Sequence, residues 1–516
     1  MAAQFTASAP GKALIAGGYL VLESPNIGVT IASSSRFYAT ARSLDRGDAS
    51  AHTAALFDAR SADTTAAAPL NIIVESPQFH STFCFAYHSS NDKLAVVSSK
   101  SNEFIEKCLE LVLSFCKLSL GEERLGEIVA AIAAERGFLG IKLRADNDFY
   151  SQVKVLQERG MPLLSASLAE LPKFTACPIE DGKVQVAKTG MGSSAALTTS
   201  LVAALLSWFR VINLDSSDCA EKKEARRIIH NTAQLAHAIA QGKLGSGFDV
   251  SAAVHGTQMY RRFSADNFKA CMEPGAPPST IYESVTSEAL WTHTVAPFTL
   301  PPSMDIMMGD VCGGSSSTSM AREVLRWRAE QPQEAGVIWS ELAATNMLIF
   351  ESFERLSALA KTNRSEYFAA IDTLCAGGDL EAAAPVGAEF STQRRLFKRS
   401  RELLRAMGEG AGVGIEPQEQ TQLADATERV PGVLCAGVPG AGGVDAVFAI
   451  ILSAATRDGV EAMWAEWRQR GGATVVCPLL LTSDSPSPIT SSAQSVVGPA
   501  DCAAAGVRLE NGVSWQ

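Results

Sequence analysis

Apolar and polar residues follow two different periods along this chain. Leu197, Leu201, Leu205 and Phe209 recur at four-residue steps, the stripe of a half-buried helix. Just upstream, Val184 and Val186 alternate with polar neighbours, which predicts a strand ending near Lys188. Residues 320–327 and 341–361 read as helices, and 447–452 is a short apolar run that fits a strand or a buried helix. Pro274, Pro277, Pro278, Pro297, Pro301 and Pro302 discourage long helices between 273 and 303. The pattern predicts an α+β protein of two lobes, 1–272 and 304–481, joined by a proline-rich crossover over 273–303. Residues 45–68, rich in Ala, Ser, Thr and Asp without a period, read as a surface insertion, and the Ser-rich stretch 482–516 as a mobile tail. No internal repeat of solenoid or propeller length occurs.

Composition narrows the classes. Of the 516 residues, 47% are hydrophobic and 19% charged, so cores can form and a disordered scaffold is excluded. The charge sum, 44 − 55 = −11, gives no electrostatic reason to bind nucleic acid or an anionic membrane; a local basic pocket for an anionic small molecule is compatible with it. The eleven cysteines form no C-x-x-C pair, which points to reduced thiols and a cytoplasmic protein. The N-terminus lacks the charged and apolar regions of a secretory signal. The most apolar helix candidate, 195–212, is broken by Thr198, Thr199, Ser200, Ser207 and Arg210, too polar and short to span a bilayer. The expected partner is a small-molecule substrate, with the chain a monomer or homodimer.

The strongest chemical signal is Lys188-Thr189-Gly190-Met191-Gly192-Ser193-Ser194-Ala195, set between the predicted strand and helix. Gly190 and Gly192 let the backbone turn tightly against a ligand. The free N–H groups and positive dipole end of the following helix favour a phosphate. The hydroxyls of Ser193 and Ser194 suit Mg²⁺. Two other readings stay open on these residues alone: a glycine turn with a serine N-cap, and a dinucleotide fingerprint, Gly190-x-Gly192-x-x-Ala195, of a nicotinamide-dependent oxidoreductase. The latter wants an acid about 20 residues on, where this chain first offers Asp215. No Walker A pattern occurs, and the protein-kinase motifs H-R-D and D-F-G are absent.

Two more segments change the odds. Ser8-Ala-Pro-Gly-Lys-Ala-Leu-Ile-Ala-Gly-Gly-Tyr opens the chain and Gly437-Val-Pro-Gly-Ala-Gly-Gly-Val-Asp lies near its end. With the central loop they resemble, in type and order, the three motifs of the GHMP kinases. Gly17-Gly18-Tyr19 replaces the Gly-Glu-His of the galactokinase and mevalonate kinase branches. With 241–253 (Gln-Gly-Lys-Leu-Gly-Ser-Gly-Phe-Asp-Val-Ser-Ala-Ala) and 309–319 (Gly-Asp-Val-Cys-Gly-Gly-Ser-Ser-Ser-Thr-Ser), the combination is similar to the eukaryotic, fungal-type phosphomevalonate kinases.

The resemblance implies a two-lobed fold, with a ribosomal-protein-S5-like N-terminal lobe holding a left-handed βαβ unit, a ferredoxin-like C-terminal lobe, and the site in the cleft between them. It implies ATP and Mg²⁺ as cofactors and phosphorylation of 5-phosphomevalonate; another GHMP small-molecule kinase, such as mevalonate kinase, is the nearest alternative. By residue, it implies that Lys188, Gly190, Met191, Gly192, Ser193, Ser194 and Ala195 hold ATP, with Ser193 or Ser194 on the metal. Lys12 and Asp249 are the implied catalytic pair. Tyr19, Ser315, Ser316, Ser317 and Gly440, Ala441, Gly442 and Gly443 would meet the acceptor. Where mevalonate kinase carries an acidic Mg²⁺ ligand, this chain has His237. His230, His237 and His255 show no metal-ligand spacing and read as non-metal residues.

Overall fold

The computed structural model of the chain describes residues 4–58, 69–134, 137–311, 317–378, 385–484, 506–513 and 515. Strands β1 (Phe5–Ala16) and β2 (Ile27–Leu44) pair antiparallel, with register slips between Pro10 and Lys12 and between Leu14 and Ala16. The chain then adds β3 (Leu70–Ser76), β4 (Ser81–His88), β5 (Lys93–Val96) and β6 (Phe138–Ala145). β7 (Ile179–Glu180) and β8 (Lys183–Val184) form a separate two-residue ladder, and β9 (Gln258–Arg261) and β10 (Thr294–Pro297) return to the first sheet. β11 (Asp305–Val311), β12 (Val433–Gly437), β13 (Ala446–Ile451) and β14 (Val476–Pro478) make a second sheet, and β15 (Arg508–Leu509) comes last.

The large sheet runs β10-β9-β2-β6-β3-β4-β5, with β1 between β2 and β15. The second sheet is antiparallel throughout, in the order β12-β13-β11-β14. Counted from one to four within its lobe this is 4-1-3-2, the ferredoxin-like order that was expected. The run 447–452 is therefore a strand, buried on both faces.

Helix Ser193–Trp208 packs against β1 and β2 and against helices Glu103–Leu120, Cys219–Gln241 and Phe248–His255. The stripe predicts a half-buried helix. The structure buries it almost all round, with Thr198, Thr199 and Ser200 at 0% exposure. The small side chains Ala195, Ala196, Ala203 and Ala204 allow this close approach on faces the leucines do not occupy.

Three further expectations change. The strand predicted to end near Lys188 shrinks to β8: Val184 is half-buried, Val186 is exposed, and Lys188 makes a lone bridge to Tyr150. Alternation signals a strand only where a sheet face receives it, and none does here. The segment 273–303 is not bare crossover, since helix Pro278–Thr286 and β10 lie within it and Trp291 packs on Phe263 and Phe268. Finally, 482–516 is not a free tail. Ser34 donates its backbone N–H to the Thr482 carbonyl at 2.8 Å, and β15 pairs with the outer edge of β1. Residues 485–505 lie outside the described residues. In the 45–68 insertion, helix Ala51–Asp58 sets Phe57 on Phe138, ring centroids 5.2 Å apart; 59–68 lie outside the described residues.

Candidate active site

The central loop keeps both glycines in the left-handed region, Gly190 at φ 76° and Gly192 at φ 75°. Gly192 occupies the N-cap of helix Ser193–Trp208, and no side chain caps that helix. The serine-cap reading therefore fails, because Ser193 and Ser194 are the first helical residues. The first-turn N–H groups are left for another acceptor, as an anion site requires. The dinucleotide reading also loses its premise: the loop follows a two-residue ladder rather than a strand of an open parallel sheet.

Lys12 comes to this loop from β1. The slip at Gly11 rotates the strand so that the Lys12 backbone N–H donates to the Met191 carbonyl (3.0 Å) and its Nζ to the Gly190 carbonyl (2.8 Å). A Cβ at Gly11 would stand 2.7 Å from Met191 Cε and 2.9 Å from Ser33 Oγ, so any larger residue there would have to displace both side chains. The ammonium lies 5.5 Å from the centre of the Phe248 ring. Burial lowers the Lys12 pKa, and the Asp249 carboxylate acts in the opposite sense.

Asp249 sits in the first turn of helix Phe248–His255, held there by its own Oδ1, which accepts from the Val250 N–H at 2.9 Å. The preceding Gly247 has φ 77°, and a Cβ there would meet Gln234 at 2.9 Å. His237, buried on helix Cys219–Gln241, places Nε2 3.1 Å from Ser194 Oγ and 4.0 Å from Asp249 Oδ2. Burial lowers its pKa, with Lys188 and Lys243 adding to that and Asp249 opposing it. Ser193 hydrogen-bonds to the Tyr150 hydroxyl. His237 and Tyr150 thus fix the two serines. The order of residues pointed to neither contact, because both partners lie more than 40 residues away in sequence.

The third loop is built mainly from backbone. The Gly440 N–H donates to the Leu14 carbonyl (2.9 Å) and the Gly443 N–H to the Ile415 carbonyl (2.8 Å). Tyr19, at φ 65°, donates its hydroxyl to the Ala441 carbonyl at 2.6 Å. A cavity of about 360 Å³ is lined by Lys12, Tyr19, Lys188, Gly190, Met191, Gly192, Ser193, Ser194, Asp249, Gly440, Ala441 and Gly442, with His237, Lys243 and Asp445 added. Ala195 is buried beneath the loop, and Gly443 is spent on Ile415. Ser315 and Ser316 lie outside the described residues; Ser317 opens helix Ser317–Glu330.

A second cavity, of about 620 Å³, shares Lys188, Ser193 and Ser194 with the first and opens on their other side. Its walls include Phe104, Tyr150, Val184, Val186 and Leu197. Val184 at the end of β8 and the exposed Val186, where the strand expected from their alternation does not continue, form one of these walls.

The histidines fall into two places. His230 and His255 meet His293, not His237; the His230 and His293 rings stack with centroids 4.3 Å apart. Both ring nitrogens of His230 already have partners, Nδ1 with Asn231 and Nε2 with Gln234.

The GHMP kinases N terminal domain family matches residues 177–257, the loop and the three helices that follow it. The peroxisomal phosphomevalonate kinase of Arabidopsis thaliana is 35% identical over 469 residues, covering 86% of this chain and 89% of that protein. A phosphomevalonate kinase of Aspergillus fumigatus is 31% identical over 466 residues, covering 86% of each. Among solved structures, the Lin0012 protein from Listeria innocua aligns with a TM-score of 0.58 at 14% identity, over 99% of this chain and 100% of that one. The phosphomevalonate kinase of Streptococcus pneumoniae, in complex with phosphomevalonate and AMPPNP, aligns with a TM-score of 0.50 at 14% identity, over 90% and 96%. These two likenesses concern the fold.

Proposed function

The chain belongs to the phosphomevalonate kinase family, and from that premise we infer how its own residues move the γ-phosphoryl group of ATP onto (R)-5-phosphomevalonate, giving (R)-5-diphosphomevalonate. The triphosphate lies along Lys188 and Gly190–Ser194, the residues the two cavities share or border. The nucleoside enters the apolar side, between Phe104, Tyr150 and Leu197. The acceptor takes the other side, between Lys12, Asp249, Tyr19 and Gly440–Gly442. Ser315, Ser316 and Ser317, just before or at a helix start, are assigned to its phosphate or carboxylate.

Phosphoryl transfer asks mainly for positioning and charge neutralisation. The attacking atom is a phosphate oxygen whose second pKa is about 6, so it is largely ionised at neutral pH. A strong general base is therefore not required, and Asp249 serves to orient the acceptor and Lys12. Two polyanions repel, and the answer is Lys12 and Lys188 aimed into the cleft of an acidic protein. The serine hydroxyls and one carboxylate at an uncapped helix start fit Mg²⁺, which takes few protein oxygens and completes its shell with phosphate and water. Ser193 or Ser194 with Asp249 would hold it, and when bound it neutralises charge on the transferring group.

One observation carries this reading: the Lys12 ammonium, the Asp249 carboxylate and the free helix start line one cavity. An ADP-release assay over a panel of acceptors tests it. Turnover is expected with 5-phosphomevalonate and at least about 100-fold less with mevalonate, the scale set by leaving the phosphate's cationic partners unpaired. Equal turnover with mevalonate or another alcohol overturns it. No helix among the described residues is long and apolar enough to cross a membrane. The free cysteines among the described residues suit a reducing compartment, and we assign the chain to the cytoplasm; the Arabidopsis relative is named peroxisomal, and imaging of the tagged chain decides between the two.

A further inference from the structure

A second concentration of positive charge lies in the C-terminal lobe, on a different cavity from the cleft. Helix Val386–Ala411 places Arg394, Lys398, Arg401 and Arg405 at steps of four, three and four residues, which puts all four on one face. Arg429 joins them from the end of helix Gln418–Glu428. These five cations, with Asp425 and Glu428, line a cavity of about 480 Å³ whose remaining wall is partly backbone at Gly377, Gly378 and Gly432. Five cations face two carboxylates in that lining, and with the buried Glu416 that Arg401 and Arg405 share the group still holds 5 − 3 = 2 positive charges in excess, in a protein whose overall charge is negative.

The charges are not equally committed. Arg401, its side chain 7% exposed, pairs with Glu416, Asp425 and Glu428, and Arg405 pairs with the fully buried Glu416. Arg394, Lys398 and Arg429 face the cavity without an ion pair among the described residues. Like charges held together on one helix face are unfavourable unless something else neutralises them. Arginine forks and a lysine point charge arranged around a polar hollow are the donor set of phosphate recognition.

We propose that this cavity is a second anion site, taking a small molecule that carries a diphosphate or two nearby phosphates, with Arg394, Lys398 and Arg429 as its primary contacts and Arg401 as its buried floor. The two positive charges in excess, with Arg394, Lys398 and Arg429 outside any ion pair among the described residues, suit a diphosphate and exceed what one carboxylate balances. The hollow is of metabolite size, so a small molecule is its occupant.

The surroundings connect this site to the cleft. Glu428 accepts from the Ala436 N–H at 3.1 Å, and Ala436 belongs to β12, which runs directly into the third loop. Ile415, next to the Arg401 partner Glu416, holds the Gly443 N–H of that loop. An anion that draws Arg401 away from Glu416 or Glu428 therefore pulls on the segment that braces Gly440–Gly443.

The proposal does not depend on the phosphotransfer reading, and its test reads binding. Pyrophosphate is titrated calorimetrically into the full chain already saturated with AMPPNP and phosphomevalonate, so that the cleft is filled. One further equivalent is expected, weakened at least tenfold in the triple variant Arg394→Ala, Lys398→Ala, Arg429→Ala. These side chains are exposed, so the variant should melt within a few degrees of the parent and keep its basal turnover. Citrate, a carboxylate trianion, should bind at least tenfold more weakly than pyrophosphate. The absence of a further equivalent, equal binding by the triple variant, or citrate binding as well as pyrophosphate overturns the assignment. Lys398→Glu alone, which also reverses a charge, should weaken the same equivalent; an unchanged affinity would count against the site.

Discussion

Lys12→Met removes one charge and little else. The methionine stem has nearly the length of the lysine stem, and the slot beside Gly192 already holds lysine carbons: a Cβ there would touch Lys12 Cε at 3.0 Å and Cγ at 3.3 Å. Burial destabilises the ammonium, shown by its lowered pKa, so the folded state gives up a desolvated charge and one hydrogen bond to the Gly190 carbonyl. Those two changes oppose each other, and the melting temperature should move by only a few degrees. The transition state has no such compensation. A fixed cation aimed at developing charge in a water-poor cleft contributes about 3–4 kcal/mol, or roughly 100- to 1000-fold in kcat. ATP affinity should fall less than about fivefold, because Lys188 and the helix start remain. Steady-state kinetics, a binding titration with AMPPNP and a thermal melt separate these terms. A variant that turns over within tenfold of the parent, or that loses ATP binding together with kcat, refutes the assignment of Lys12 to the transferring group.

Asp249→Asn keeps an oxygen for the Val250 N–H and should cost about 10- to 100-fold in kcat; a loss beyond about 10⁴-fold, the full reach of general-base catalysis, would make the carboxylate an essential base. Deleting residues 506–516 strips Arg36 of its bond to the Gly506 carbonyl (2.5 Å) and of Glu510 at 3.5 Å, while its bonds to Ser8 remain. Losing a hydrogen bond to a charged group costs about 1.5–3 kcal/mol, measurable as a lowered urea midpoint; an unchanged midpoint would show that the C-terminal strand carries no stability. Acid should destabilise the fold through His230, His255 and His293, whose burial holds their folded pKa values below 6.5, to about 3 for His255 and about 4 for His293. Their contribution is complete above pH 6.5 and is lost as pH falls towards those folded values, each adding a slope of about 1.4 kcal/mol per pH unit. Asp310, raised by burial to about 6, works the other way and loses its contribution as pH rises through 6. His293→Gln should therefore flatten the pH 4.5–6 stability profile by about one histidine's slope, and a profile as steep as the parent's would contradict the burial argument.

What the chain revealed in advance was local. Leu197, Leu201, Leu205 and Phe209, with two glycines just before them, located helix Ser193–Trp208 because the period of a helix is written in neighbouring residues. The three glycine-rich motifs were legible for the same reason, each being a short run whose backbone demands small residues. Contacts across hundreds of residues left no such trace. β15 is two residues long in a stretch poor in large apolar side chains, yet it closes the edge of β1 about 500 positions away. His237 beside Ser194, and His293 stacked on His230, are products of helix packing rather than of spacing. Val184 and Val186 misled because alternation describes a side-chain direction, and only the rest of the fold decides whether a sheet or a ligand cavity receives it.

The cleft joins elements from both lobes through backbone more than through side chains. Leu14 of β1 receives the Gly440 N–H, Ile415 of the C-terminal lobe receives that of Gly443, and Tyr19 reaches the Ala441 carbonyl from a left-handed backbone conformation. A non-glycine residue held there is strained, and such strain persists only where its surroundings over-determine it; the buried hydroxyl bond to the third loop is that determinant. The third-loop wall of the cleft is thus a rigid, uncharged cradle, and in the proposed reaction Lys12 and Asp249 face it across the cavity while Lys188 stands on the nucleotide side. That division suits an acceptor that arrives already ionised. Such a substrate needs its charge met at the point of transfer and its body held still, and a base strong enough to deprotonate an alcohol would add only another negative charge to a crowded site.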